Sequence, residues 1–332
     1  YIMTQKYLMD IPLYRQENDF KRRDILLSRQ TMANWIIKCS DMWLKPIYDE
    51  LHNRLVSCEV AHADETTVQV LKEPGRKPQS KSYMWLYRTG QYEKYKIALY
   101  NYRKGRNAEF LQEFLNGFSG YLHCDGYQAY KKLENVILVQ CLAHSRRKFY
   151  EALKCLKEEE QKDSKAAIGI AYCNKLFKIE ENIEELTPEE KYIKRLELSK
   201  PVLDDFFAWL NSFTPASQSH LGKAVSYTLN QWNNLRNYLL DGRLNISNNS
   251  AEHLAKSFAL CRKNFLFSNT PSGAEASATV MSIIETAKIN NIDPFKYLTY
   301  IFETAPQLDM IKKEDVEKLL PEAYMDKLKG NI

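Results

Sequence analysis

The apolar positions change period along the chain, and the changes mark out its parts. Near the start, Met32, Trp35 and Ile36 recur at helical spacing behind a capping word, Ser28-Arg29-Gln30-Thr31. Pro12 to Phe20 reads as an earlier short helix. Two helices about a turn fit a helix-turn-helix, although a packing layer is the simpler reading. From Val60 the period shortens. Val68 and Val70 flank Gln69, Pro74, Gly75 and Pro78 form a break, and Tyr83–Tyr87 and Tyr95–Tyr100 follow as strands. Phe110, Leu111, Phe114 and Leu115 restore helical spacing within 107–118. Gly120–Cys124 and Val136–Cys141 read as short buried strands, with a helix near 127–133 between them.

Three strands, a helix, a strand, a helix and a strand is the order of an RNase H-like mixed sheet, in which three antiparallel strands are extended by parallel ones. The signals then turn wholly helical to about residue 241, with Leu203, Phe206, Phe207 and Leu210 on one stripe. Helical words resume at Asn249, over Thr279–Lys288, and at Asp293-Pro294. The expected organisation is a helical segment over 1–52, the first part of the RNase H-like core over 53–145 and an all-helical insertion over 146–242. The rest of the core follows over 243–302, and a charged peripheral tail over 303–332.

Composition changes this picture little. Hydrophobic residues at 44% and charged residues at 27% are a globular balance. No apolar run is long enough for a membrane span, and the first residues lack a signal peptide's apolar stretch. The chain opens on Tyr1 rather than Met, which suggests a fragment. Seven cysteines with no CxxC pair fit a reducing cytoplasm better than a disulfide framework. Charge is more telling in its distribution than in its net +5. Lys72 to Arg106 is strongly basic and Glu158 to Glu190 strongly acidic, so one region would attract phosphate and another repel it.

Three acids fall where chemistry could use them. Asp64 lies in the first strand, Asp125 just past the fourth, and Glu252 in the helix after the insertion. In such a sheet the first and fourth strands are neighbours, so their carboxylates can meet while a helix delivers the third. Oxygen donors grouped this way suit Mg²⁺, and two ions about 3.5–4 Å apart can cut and join phosphodiesters. Each acid also has a plain reading: Asp64 as an exposed strand-end acid, Asp125 as a turn residue before Gly126, and Glu252 as the partner of Asn249 in a capping box.

Several words resemble the large transposase of the insertion sequence 66 type: Ala63-Asp64-Glu65-Thr66, Cys124-Asp125-Gly126-Tyr127, Cys141 to Phe149, Arg262 to Phe267, and Glu285-Thr286-Ala287-Lys288. The resemblance runs from about Tyr7 to Phe302. It implies a DDE transposase that cleaves the ends of a mobile element and joins them to target DNA, with Asp64, Asp125 and Glu252 as catalytic and metal-binding triad. Mg²⁺ would be the cofactor and Mn²⁺ a substitute. The partners implied are DNA, further copies of the chain on DNA, and small accessory proteins of the same element. The location implied is the bacterial cytoplasm, and the family's upstream DNA-recognition region would precede Tyr1. Ser247 and His253 stand where the family usually has Asp and Arg. A silent DNA-binding remnant and an RNase H-like nuclease that does not join strands are the alternative readings.

Basic residues near these acids are candidates for the DNA backbone: His144, Arg146, Arg147 and Lys148 after the fifth strand, and Lys256, Arg262 and Lys263 on the Glu252 helix. Cys141-x-x-His144 lacks the second pair of ligands usual for zinc, which favours a phosphate-contacting role or a basic helix start.

Overall fold

Strands rich in Val, Leu and Tyr build one mixed sheet; the computed structural model describes residues 1–330. Its strands are β1 (Val60–Gln69), β2 (Lys81–Thr89), β3 (Ala98–Arg103), β4 (Gly120–Cys124) and β5 (Val136–Gln140), in spatial order β3-β2-β1-β4-β5. The first three pair antiparallel, and β4 and β5 extend the sheet in parallel. The protein is thus a mixed α/β structure with the expected strand directions.

Two boundaries differ from expectation within the sheet region. β3 begins at Ala98, because Thr89 Oγ1 closes a turn over residues 95–97: it accepts from the Ile97 amide at 2.9 Å and donates to the Tyr95 carbonyl at 2.8 Å. The helix expected near 127–133 is only a 3₁₀ turn, Gln128–Lys132.

Helices α1 (Ile2–Tyr7), α2 (Leu13–Arg22), α3 (Arg29–Cys39) and α4 (Lys45–Val56) precede the sheet, and α5 (Ala108–Phe114) joins β3 to β4. Between β5 and the return to the sheet come α6 (Leu142–Lys154), α7 (Glu158–Gln161), α8 (Lys165–Asn182), α9 (Pro188–Lys194), α10 (Lys200–Asn211), α11 (His220–Asn230) and α12 (Trp232–Arg236). Phe149, Leu176, Phe206 and Trp232 form their own apolar core, which reaches the sheet at Val60 and Val139. Buried Arg195 clamps the way out of this helical layer. It pairs with Glu180 at 2.6 Å and donates to the carbonyls of Tyr238, Asp241 and Leu244.

The chain then returns as α13 (Asn249–Phe265), α14 (Pro271–Ile289), α15 (Pro294–Thr304), α16 (Lys313–Glu317) and α17 (Pro321–Leu328). α13 lies on β1 and β2 through Leu254, Phe258 and Cys261. α14 starts earlier than the expected Thr279, because Thr270 caps it by accepting from Gly273 and Pro271 suits its first turn. Its small buried residues pack against β3. Thr286 Oγ1 accepts from the Ala98 amide at 3.0 Å and donates to the Ala98 carbonyl at 2.9 Å, and Ser282 Oγ accepts from the Tyr100 amide. Side chains of a helix therefore occupy the outer edge of β3. At the other edge, Asn237 donates to the Leu138 carbonyl of β5 at 2.8 Å.

The tail after residue 303 is not peripheral. Val316, Leu319, Leu320 and Tyr324 are buried in the main core, and Tyr297 donates to the Leu319 carbonyl at 2.6 Å. Charged residues between these positions mask the apolar spacing in the sequence. Among the described residues, no helix is long and apolar enough to cross a membrane.

Candidate active site

Parallel pairing of β1 with β4 sets His62 beside His123, their rings stacked with centroids 4.2 Å apart. Asp64 and Asp125 each lie two residues further on, so strand alternation carries both carboxylates toward one face at one end of the sheet. Each is held by its own backbone. Asp64 Oδ1 accepts from the Glu65 amide at 2.8 Å, and Asp125 Oδ1 accepts from the Tyr127 amide at 2.9 Å. The turn at Asp125 is closed over by the helical layer: a Cβ on Gly126 would lie 2.9 Å from the Tyr227 ring and 3.1 Å from Gln231 Nε2.

Asn248 brings in the third acid. It is buried, donates from Nδ2 to the Ala63 carbonyl at 2.8 Å, and meets His62 Nδ1 through Oδ1 at 3.0 Å. Glu252 follows four residues later, one helical turn along the same face of α13. The capping box considered for Glu252 does not form. The cap position is Asn248, whose side chain makes no cap hydrogen bond because β1 engages it, and Glu252 is left free of the helix end.

The acids repel one another. Burial raises the Asp64 carboxyl to about 7, and the charges of Glu65, Asp125 and Glu252 add to that rise. Glu65 is also raised, by burial first and then by Asp125, despite its ion pair with Arg106 and a 2.8 Å hydrogen bond from Tyr130. Arg106 stacks on Tyr127, 3.6 Å from the ring centre, and stands 3.9 Å from Asp125. On the other side, Arg147 lies 3.5 Å from Glu252 Oε2, and Glu252 Oε1 is buried without a hydrogen-bond partner. Crowded carboxylates with an unpartnered buried oxygen fit a hard divalent cation, which would relieve the repulsion. Asp64, Asp125 and Glu252 are the side chains that would hold it.

Among the described residues, the three-donor group whose ligand atoms all lie within 4.8 Å of one another is Cys141, His144 and Glu252. His144 faces Glu252, with Nδ1 3.8 Å from Oε1. Burial lowers the His144 pKa, against the pull of Glu252.

The remaining candidates divide. Arg147 and Lys148 lie at the site on α6, although Lys148 also pairs with Glu151 at 3.1 Å. Arg146 donates to Asn174 at 2.6 Å and, with Arg147, Tyr150 and Phe177, lines a groove of about 630 Å³ that ends at Asn249. Lys256 and Lys263 are exposed on α13. Arg262 instead ties α13 to β1, donating to Thr67 Oγ1 at 2.7 Å and to the Thr67 carbonyl. The basic stretch over 72–106 is partly consumed internally, since Arg76, Arg103 and Arg106 pair with Glu73, Glu113 and Glu65. Glu65, Arg106, Tyr130 and Asn248 were not singled out by the sequence. The nearest signal was the Asp64-Glu65 doublet, because a second acid beside a site carboxylate calls for a counter-charge.

The sheet thus carries Asp64 on β1 and Asp125 just past the neighbouring β4, with Glu252 on the returning helix α13. The chain belongs to the Transposase IS66 family, which it matches over residues 1–276, and it matches the IS66 C-terminal element over residues 282–321. It is similar to two proteins of Sinorhizobium fredii (strain NBRC 101917 / NGR234). Uncharacterized protein y4jD is 32% identical, over 91% of this chain and 61% of that protein. Uncharacterized protein y4qI is 30% identical, over 90% and 57%. The chain thus spans about three fifths of the length of these relatives. Among solved structures it resembles the Drosophila P element transposase strand transfer complex, with 12% identity and a TM-score of 0.45, over 86% of this chain and 92% of that one.

Proposed function

We propose that the chain is the catalytic part of a DDE transposase with an RNase H-like core, acting on the DNA ends of an insertion sequence in the bacterial cytoplasm. The observation that carries this reading is that Asp64 and Asp125 each lie two residues beyond the paired His62 and His123, with the charges of Asp125 and Glu252 both acting on Asp64 and α13 tied to β1 through Asn248. Asp64, Asp125 and Glu252 would hold Mg²⁺, or Mn²⁺ in its place, as the cleft closes on DNA. When bound, such ions activate an attacking oxygen and stabilise a leaving one. Hydrolysis of a phosphodiester leaves a 3′-hydroxyl at the element end. That hydroxyl attacks a target phosphate in line, forming one P–O bond as another breaks. No covalent protein–DNA bond is needed. Arg147, Lys148, Lys256 and Lys263 hold the backbone, and the groove beside α6 receives the flanking strand. His144, whose Nδ1 lies 3.8 Å from Glu252 Oε1, would contact a phosphate oxygen beside it. Further copies of the chain on paired ends, and accessory proteins of the same element, belong to the same proposal.

The test is joining of pre-cleaved ends in the presence of Mg²⁺. Joining by the wild type that is lost in Asp64→Asn while DNA binding survives supports the reading. Binding without cation-dependent chemistry indicates a silent remnant, and cleavage without joining indicates a nuclease.

A further inference from the structure

Cys141-x-x-His144 looked short of ligands in the sequence; the fold supplies another. Cys141 follows β5 and caps α6, His144 lies in the first turn of α6, and Glu252 reaches them from α13. Sγ of Cys141, a ring nitrogen of His144 and a carboxylate oxygen of Glu252 all lie within 4.8 Å of one another. A tetrahedral zinc site with bonds of about 2.0–2.3 Å spaces its donors roughly 3.3–3.8 Å apart, so small side-chain movements close the set. His144 Nδ1 and Glu252 Oε1 already stand 3.8 Å apart. Both atoms are buried and have no hydrogen-bond partner, a state that folded proteins seldom leave unfilled. The Asn248 amide donates to Cys141 Sγ at 3.2 Å, so the sulfur already faces a backbone donor at this point.

We propose that Cys141, His144 and Glu252 form a second cation site, selective for a borderline-soft ion of the Zn²⁺ type, which shares Glu252 with the carboxylate cluster. One thiolate, one imidazole and one carboxylate make a three-ligand set with a fourth position left for water. Asp64 and Asp125 offer only hard oxygen and lie outside it. An ion seated here fixes Glu252 on the α6 side of the cleft and withdraws it from the Asp64–Asp125 side. Zinc then acts as an inhibitor. This consequence rests on the role given to Glu252 above, whereas the binding does not.

Co²⁺ is the probe, titrated into the reduced full chain and followed by absorption. The expected result is one equivalent bound with a thiolate-to-cobalt charge-transfer band, displaced by Zn²⁺. The band disappears in Cys141→Ser. Affinity falls at least tenfold in His144→Ala and in Glu252→Gln, while Asp64→Asn keeps the band unchanged. Circular dichroism checks each variant's fold, and the more accessible His144 and Glu252 decide the matter if Cys141→Ser does not fold. A wild type with no such band overturns the proposal. So does a band that survives Cys141→Ser, or an affinity indifferent to Glu252→Gln. In the Mg²⁺ joining assay, zinc sufficient to fill the site abolishes joining; undiminished joining overturns the inhibitory role. A wild type that joins nothing even without zinc refutes the transposase reading, and the cobalt spectra still decide the site.

Discussion

Asn248 and Ala63 share a 2.8 Å hydrogen bond that makes the strand bearing Asp64 and the helix bearing Glu252 one mechanical unit. The same amide meets His62, so both ends of the Asn248 side chain are spent on β1. Asn248→Ala leaves the Ala63 carbonyl and a His62 nitrogen unpaired in the interior, at a cost of about 1–3 kcal/mol. The expected outcome is a lower Tm and a loss of strand joining that exceeds any loss of DNA affinity. Melting curves and filter binding, measured beside the joining assay, check it.

Asp64 makes stability depend on pH. Its carboxyl is raised from the ordinary 3.8 to about 7, so the folded state holds a proton that the unfolded chain has released. Stability from this group is complete below about 4 and declines as pH rises toward 7. Asp64→Asn removes that dependence. The variant therefore melts a few degrees above the wild type at pH 8, with the gap closing toward pH 4, while its joining activity is lost. Added Mg²⁺ narrows the gap at pH 8 by stabilising only the wild type. Calorimetry across this pH range is the measurement.

Arg106 neutralises the inner side of the cluster. Its partner Glu65 is almost fully buried, with a side chain only 2% exposed. Arg106→Ala strands that charge, and a loss of about 3 kcal/mol is expected. Arg106→Lys recovers only part of it, because an ammonium cannot stack on Tyr127 as the guanidinium does. Urea unfolding of the two variants tests the order: wild type, then Lys, then Ala.

Gly126 is the point where the helical layer touches the Asp125 turn. Gly126→Ala drives a methyl into Tyr227 and Gln231, at about 1–3 kcal/mol. Joining falls with stability, and the additional substitution Tyr227→Ala restores part of both by making room. A double-mutant cycle on Tm gives the coupling.

Much of this was written in the sequence, for physical reasons that differ by element. The positions of Asp64 within β1 and of Asp125 just past β4 were legible because alternating or buried apolar residues mark both strands. The β1–β2, β2–β3 and β4–β5 pairings were legible because short links favour neighbours, whereas the β1–β4 pairing came from the RNase H-like strand pattern. The helix bearing Glu252 was legible from its signal, but its cap was not: sequence spacing offers Asn249, and only the approach of β1 shows that Asn248 holds the position. Arg106 was visible only as one charge in a basic run, since its partner Glu65 is 41 residues away and ion pairs across space leave no period. The buried tail at Leu319 and Tyr324 was hidden by the charges between its apolar positions.

Thr286 and Ser282 over β3, with Asn237 over β5, have a consequence for assembly. A strand from another molecule finds those backbone groups already taken, so neither margin readily templates growth by β-augmentation. Any contact between copies of the chain would then have to be made through helices rather than by extending the sheet.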